Sequence, residues 1–390
     1  MLNVFVSHKT KKSCGAAWLS FLLLFCSFLS NASTALEDLI SIDQLRSADF
    51  HKFGVKLRQI EANKSSLTEF ELQYLDLLLA YEASYQGHTE KAIQILAPLT
   101  EAQKDKILSF RAKALAINSL IVVRRYLDAF SYFEQLIAQL PEIDVPVARE
   151  QGLLVIAMMY RYLERYDLTL NYIAQLEGSN LSKASSCSVK QLKFNAQIAS
   201  GQKDIPMADF YTALEFCEKN DQLLFATGIR WHLAQYLYQS GKAEEALRLI
   251  EQTYPTLLRT GYKRLITEYD VILAQIFMDK ENWEQASKYA HSVVANSPAN
   301  FSTQPKITAL QLLVEIAKQN KNYQQALEYH EQYMAAFTLY MDDKSAQQMA
   351  YHTAHSEIIT QNQKIALLDK DNRLLQYEQT VLKHQAAFNK

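Results

Sequence analysis

The stretch LAQYLYQSGKAEEALRLI, residues 233–250, decides the fold. Ala234 and Ala246 stand twelve residues apart, with a short turn between them. Two antiparallel helices of a hairpin cross closely only where neither carries a bulky side chain. The spacing therefore predicts a tight helical hairpin.

Working outward, the same unit recurs. Its second helix opens at GHTEKAIQIL (87–96), RRYLDAFSYF (124–133), ERYDLTLNYI (164–173), KDIPMADFYT (203–212), ENWEQASKYA (281–290) and KNYQQALEYH (321–330). With the first stretch this gives seven anchors: Ala92, Ala129, Thr169, Ala208, Ala246, Ala286 and Ala326. They are spaced by 37, 40, 39, 38, 40 and 40 residues. Twelve residues before each lie Ala80, Ile117, Ala157, Ala196, Ala234, Ala274 and Val314. Ile117 and Thr169 depart from the small-residue rule. Tyr126, Trp283 and Tyr323 sit three before their anchors, where an aromatic ring covers the turn, and Pro141 and Pro298 end second helices. The pattern resembles the tetratricopeptide repeat, with a period longer than the ~34 residues of that family. The fold class expected is all-α: a tetratricopeptide-like solenoid of seven repeats over 69–338, with a long C-terminal helix or coiled coil over 339–390. Residues 36–68, with Phe50, Phe53, Val55, Leu57 and Ile60, read as helices capping the open end.

Composition agrees. The 390 residues carry 40 Lys plus Arg against 42 Asp plus Glu, a net charge of −2, which argues against a general nucleic-acid binder. Hydrophobic residues make up 49%, so the chain folds. Its 9 glycines are scattered, which excludes Gly-rich phosphate loops and the nucleophile elbow.

Lys9, Lys11 and Lys12 precede the apolar run AAWLSFLLLFCSFL (16–29), followed by small residues up to Ala35. This is the order of a secretory signal peptide over 1–35, so a periplasmic location is expected. The run is shorter than the roughly 20 residues that span a bilayer; the alternative is an uncleaved anchor. Cys187 begins the first helix of the fourth repeat and Cys217 ends the second, positions that antiparallel helices bring together. A disulfide between them is one reading, in keeping with an oxidising compartment; two free thiols are the other.

No catalytic or metal-binding constellation stands out. His330-Glu331 opens an HExxH pattern, but Met334 fills its last position. His352 and His355 lack a third ligand. No enzyme activity, cofactor or metal is expected. The first helix of each repeat should line a concave surface. One position after each small residue lie Tyr81, Asn118, Met158, Gln197, Gln235, Gln275 and Glu315. Side-chain amides there both donate to and accept from a peptide backbone, and Arg161 and Tyr238 add a cation and an aromatic platform. The plainer reading is that glutamines solubilise the helix.

From Tyr351 a heptad is legible. Ile358, Ile365 and Asn372 take position a; Leu368, Leu375 and Leu382 take position d. A buried Asn372 favours two parallel strands, so a homodimer is expected through this coil. The alternative is one long helix packing back on the solenoid. The layout, with GYKRLITEYDVILAQIF (261–277), NYQQALEYHEQY (322–333) and NQKIALLDKDNRLLQYEQ (362–379), resembles the sensory half of bacterial membrane-bound diguanylate cyclases. No GGDEF sequence occurs, so cyclase activity is not implied. What the resemblance implies is an extracytoplasmic sensory module that binds a protein or peptide and relays its state to a membrane-bound signalling partner. A scaffold for a cell-envelope complex is the competing expectation.

Overall fold

A computed structural model describes residues 35–46, 50–101, 105–178, 181–260, 263–297 and 302–388. The expected export segment, Ala35 excepted, and Pro298 lie outside the described residues. Among these the chain is helix and turn, with no strand. The fold class is all-α and built of helical hairpins, as the alanine spacing predicts. No helix among the described residues is long and apolar enough to cross a membrane.

The chain divides into two compact units between Leu108 and Ser109. The first contains α1 (35–45), α2 (Phe50–Ala62), α3 (Glu69–Tyr85) and α4 (Thr89–Leu96). A capping box starts α3: the Thr68 hydroxyl accepts the Glu71 N–H, and the Glu71 carboxylate accepts the Thr68 N–H at 2.8 Å. Helix α2 packs on α3 through the fully buried Phe53 and Leu57, while Val55 remains half exposed.

The second unit takes in most of α5 (Lys106–Val122) and then α6 (Tyr126–Gln139), α7 (Pro146–Tyr162), α8 (Tyr166–Glu177), α9 (Lys183–Ala199) and α10 (Met207–Lys219). It continues with α11 (Leu223–Gln239), α12 (Ala243–Thr260), α13 (Lys263–Asp279), α14 (Trp283–Asn296), α15 (Gln304–Gln319) and α16 (Tyr323–Phe388). In five of its hairpins a three-residue turn reverses the chain. The middle residue is left-handed: Arg124, Glu164, Gly241, Glu281 and Lys321 have φ between 56 and 77°. The next residue donates its N–H to a carbonyl five back, as Lys242 does to Leu237 at 2.9 Å and Asn282 to Phe277 at 2.9 Å. This closure satisfies the last helical carbonyls and fixes the antiparallel entry of the next helix.

The crossings lie where the small residues are. Ala129, Thr169, Ala246 and Ala286 are fully buried on second helices, opposite Ile117, Ala157, Ala234 and Ala274 on first helices. The fourth hairpin is the exception. Ala208 is exposed, because α9 and α10 are joined by seven residues instead of three and the register moves. Phe210 fills the crossing instead, stacked on Phe194 with ring centroids 4.0 Å apart. Cys187 and Cys217 are joined by a disulfide in this hairpin, with Cα atoms 5.7 Å apart.

Successive first helices touch: α7 on α9, α9 on α11, α11 on α13 and α13 on α15. They form one continuous layer, with second helices packed outside it. Helix α16 is 66 residues long, about 100 Å at the usual rise. Its first part pairs with α15 and its middle returns to α6, the opening hairpin of the same unit. There Asp343 accepts from Arg124 Nε at 2.8 Å and from the Tyr126 hydroxyl at 2.6 Å. Lys344 donates to Glu164 at 2.6 Å, and His355 meets Glu134 at 3.0 Å. Tyr351 packs edge-on against Phe130, and Ala354 is buried. Tyr351, where the heptad begins, and Ala354 one turn on therefore face α6. Beyond them Ile365, Leu368 and Leu375 are exposed by 63, 54 and 54%, Asn372 is exposed and Ile358 half-buried. The Leu382 side chain lies outside what is described.

Candidate functional site: the inner wall of the second unit

The first helices are tied to one another by polar groups one repeat apart. Arg111 Nε donates to Gln151 at 2.9 Å, linking α5 to α7. Arg161 Nε donates to Asn195 Oδ1 at 2.6 Å, linking α7 to α9. Three bonds link α11 to α13: Tyr269 hydroxyl to the Thr227 carbonyl at 2.8 Å, Trp231 Nε1 to the Glu268 carbonyl at 3.1 Å, and Tyr238 hydroxyl to Asp279 at 2.8 Å. The repeat period places each donor beside its acceptor because corresponding positions on neighbouring first helices face each other.

Polar groups collect at the middle of this wall. Arg161 and Glu268 are half-buried, on α7 and α13. Burial lowers the Arg161 pKa, and the like charge of Arg264 lowers it further. Burial raises the Glu268 carboxyl, against the opposing pull of Arg264 and Arg161. His232 is 2% exposed, and burial, helped by Arg161, pushes its pKa down to about 3, so the ring is neutral. Its Nδ1 has no hydrogen-bond partner, nor have Gln151 Nε2 and Gln197 Oε1.

The residues expected to line a groove divide into four sets. Gln197 and Gln235 lie half-buried on α9 and α11, with Arg161 beside Asn195. Asn118 and Gln275 are half-buried on α5 and α13, and Met158 is 40% exposed on α7. Glu315 is exposed and paired with Lys318 at 2.8 Å, and Tyr238 is committed to Asp279. Tyr81 belongs to the first unit. There its hydroxyl donates to the Arg46 carbonyl at 3.4 Å, and its ring meets Phe53 edge-on with centroids 5.7 Å apart. Asn195, His232, Arg264 and Glu268 escape a reading that takes one position per helix. Three of them are legible as the same stripe carried toward the helix starts: 235 to 232, and 275 through 268 to 264, follow the three-, four- and seven-residue steps of one helix face, whereas Asn195 lies two from Gln197 and off that stripe.

Stacked hairpins with a polar inner layer define a helical-repeat protein of tetratricopeptide type. No protein-family model matches the chain, and no curated protein matches it. Among solved structures it is similar to a Rap protein complexed with Competence and Sporulation Factor: 11% identity and TM-score 0.58, over 80% of this chain and all of that one. The apo form of RapI follows at 13% identity and TM-score 0.49, over 67% of this chain and 97% of that one. The Rap conjugation gene regulator of the plasmid pLS20, in complex with the Phr* peptide, gives 14% and 0.42, over 82% and 96%. The first of these shows a shared helical-repeat fold.

Proposed function

We propose that the chain is a binding module that holds a peptide or protein along the inner wall of its second unit and relays occupancy through α16. The observation that carries the reading is the layer of half-buried polar side chains, among them Asn195, Gln197, Gln235 and Gln275, on first helices that touch one another from α7 to α13. Side-chain amides on one face can both donate to and accept from a peptide backbone. The Rap protein that shares the fold is itself in complex with Competence and Sporulation Factor, which supports a binding role for such an array.

The segment over 1–35 would place the module outside the cytoplasm, in the sensory role that the likeness to diguanylate-cyclase sensors implies. The exposed stripe of Ile365, Leu368 and Leu375 would pair two copies or meet a membrane-bound partner's helix. A ligand shifts such pairing only as far as its affinities for the two states differ. Photo-crosslinking in cells tests the reading. A benzophenone side chain at Gln197, Gln235 or Gln275 should yield a defined adduct, and one on the outer positions Glu251 or Lys288 should not. Adducts from the outer face alone would refute the groove. An alkaline phosphatase fused after Ala62 should be active only if the chain is exported.

A further inference from the structure

Between the second helices of the fifth and sixth hairpins the second unit has a cleft of about 230 Å³. Helix α12 lines it with Ile250, Glu251 and Tyr254, α13 with Leu273 and Phe277, and α14 with Tyr289. Ile250 and Leu273 are buried and belong to the core of the unit, so the cleft has an apolar base. Its rings make a corner. Tyr254 stands at 80° to Tyr289 with centroids 6.3 Å apart, and Phe277 lies parallel to Tyr289 at 5.8 Å. A flat ring set in such a corner lies on one aromatic face and edge-on to another, the two arrangements that aromatic pairs favour. The corner is held in place: the Tyr254 hydroxyl donates to Asp270 at 2.5 Å, and Ser292 donates to the second oxygen of that carboxylate at 2.6 Å. Size and charge narrow the ligand. An apolar cavity of about 150 Å³ takes benzene, and drug-sized ligands need roughly 300 Å³ or more. The cleft lies between the two, which suits one substituted ring or two fused rings. Glu251 is the charged side chain of the lining, and its charge acts on Tyr289, so an anion is repelled. Lys288 holds its ammonium over the Tyr289 ring, 5.3 Å from the centroid, so a cation is repelled as well.

We infer that this cleft binds an uncharged aromatic molecule of one or two fused rings, seated in the corner of Tyr254 and Tyr289. The site lies between second helices, so the inference is independent of the reading that places a peptide on the inner wall. A ring seated there joins α12 to α14 across α13 and ties the fifth hairpin to the sixth.

The test titrates the purified chain with indole, tryptamine and indole-3-acetate, followed by ligand-detected NMR. Indole should bind with a Kd of roughly 1 mM or tighter, within reach of a ligand of its size. The cationic and anionic relatives should each bind about threefold more weakly, the effect of one like charge about 6 Å away in water. Tyr289→Leu keeps an apolar side chain and removes the ring, and should weaken indole about two- to tenfold. Leu273→Phe fills the cleft; it should abolish binding and raise the melting temperature. If that variant is instead less stable than the parent chain, Tyr289→Leu decides. Absence of indole binding at millimolar concentration overturns the inference. So does equal or tighter binding of either charged probe, or an indole affinity that Tyr289→Leu leaves unchanged.

Discussion

Reduction of the Cys187–Cys217 bond is the perturbation whose size the structure sets best. The bond closes a loop with a sequence separation of 30. Loop-closure entropy in the unfolded chain then gives a stabilisation of ~3.6 kcal/mol. Both sulfurs are fully buried, in one core with Phe210, Ala213 and Ala226. Cys→Ala at both positions is therefore a cleaner variant than Cys→Ser, which would add the desolvation of two hydroxyls. With a urea slope near 3 kcal/mol/M, the double variant should unfold at a midpoint lower by about 1 M, and a reducing agent should produce the same shift in the parent chain. The loss should be concentrated in the fourth hairpin, whose seven-residue connection supplies less local closure than the three-residue turns do. Hydrogen exchange should thus accelerate most in α9 and α10. Refutation would be two alkylatable thiols in chain recovered from an oxidising compartment, or a midpoint indifferent to reductant.

Three further expectations follow from particular residues. Gly152→Ala and Gly228→Ala are the same change with opposite outcomes. The new Cβ at 152 would lie 2.3 Å from the ring of buried Phe110 and should destabilise by about 1–3 kcal/mol, whereas at 228 it meets the movable Gln191 amide and should be neutral or gain up to about 1 kcal/mol from helix propensity; thermal unfolding separates them. Glu281→Gly should relieve a left-handed turn at little loss, while Arg124→Gly relieves the same conformation but removes the Asp343 contact, so proteolysis of α16 should accelerate only in the latter. Burial raises the Asp270 carboxyl above the ordinary range, against hydrogen bonds from Ser292 and Tyr254. A raised native pKa means that the native state binds the proton more tightly than the unfolded one, so this contribution is present at low pH and lost as pH rises through the native value; Asp270→Asn should flatten that part of the stability profile.

The sequence shows the hairpins because their determinant is local. A small residue on each helix and a dozen residues between them suffice for a close crossing, and Ala234 with Ala246 or Ala274 with Ala286 carry that information within one unit. Ala208 misleads for the same reason. Its alanine is present, but the longer connection from residue 200 to 206 moves the crossing to Phe210, and only the packing of Phe194 reveals it. The inner wall is half legible. Gln197 and Gln235 follow from register, whereas the Arg161–Asn195 contact depends on which neighbouring helix face lies one repeat away. The docking of α16 on α6 is the least legible, since Arg124 and Asp343 lie 219 residues apart and no local pattern announces their meeting.

The two attachments of α16 differ in kind, and the difference determines which end can move. Against α15 it closes the last hairpin through buried Ala326 and Ala336 and a standard turn, contacts that form only together with that hairpin. Against α6 and the turns before α6 and after α7 it relies mostly on polar groups that remain partly in water: Lys344–Glu164 with 27 and 58% of the side chains exposed, His355–Glu134 with 47 and 8%, and Arg124–Asp343 with 30 and 17%. The Lys344–Glu164 and Arg124–Asp343 ion pairs, partly in water, are worth ~0–1 kcal/mol each, the His355–Glu134 hydrogen bond is of the same order, and Tyr351 on Phe130 adds ~0.5–1.5 kcal/mol. The total of a few kcal/mol is small beside what unravelling the last hairpin would require, and it lies within the 1–3 kcal/mol over which bound ligands ordinarily couple two sites. The turns at Arg124 and Glu164 place charged residues at left-handed positions where glycine is least strained, and both side chains reach α16. Those turns accept about 1–2 kcal/mol of local strain each for a weak distant contact, a trade that stability alone does not explain and that a releasable helix does.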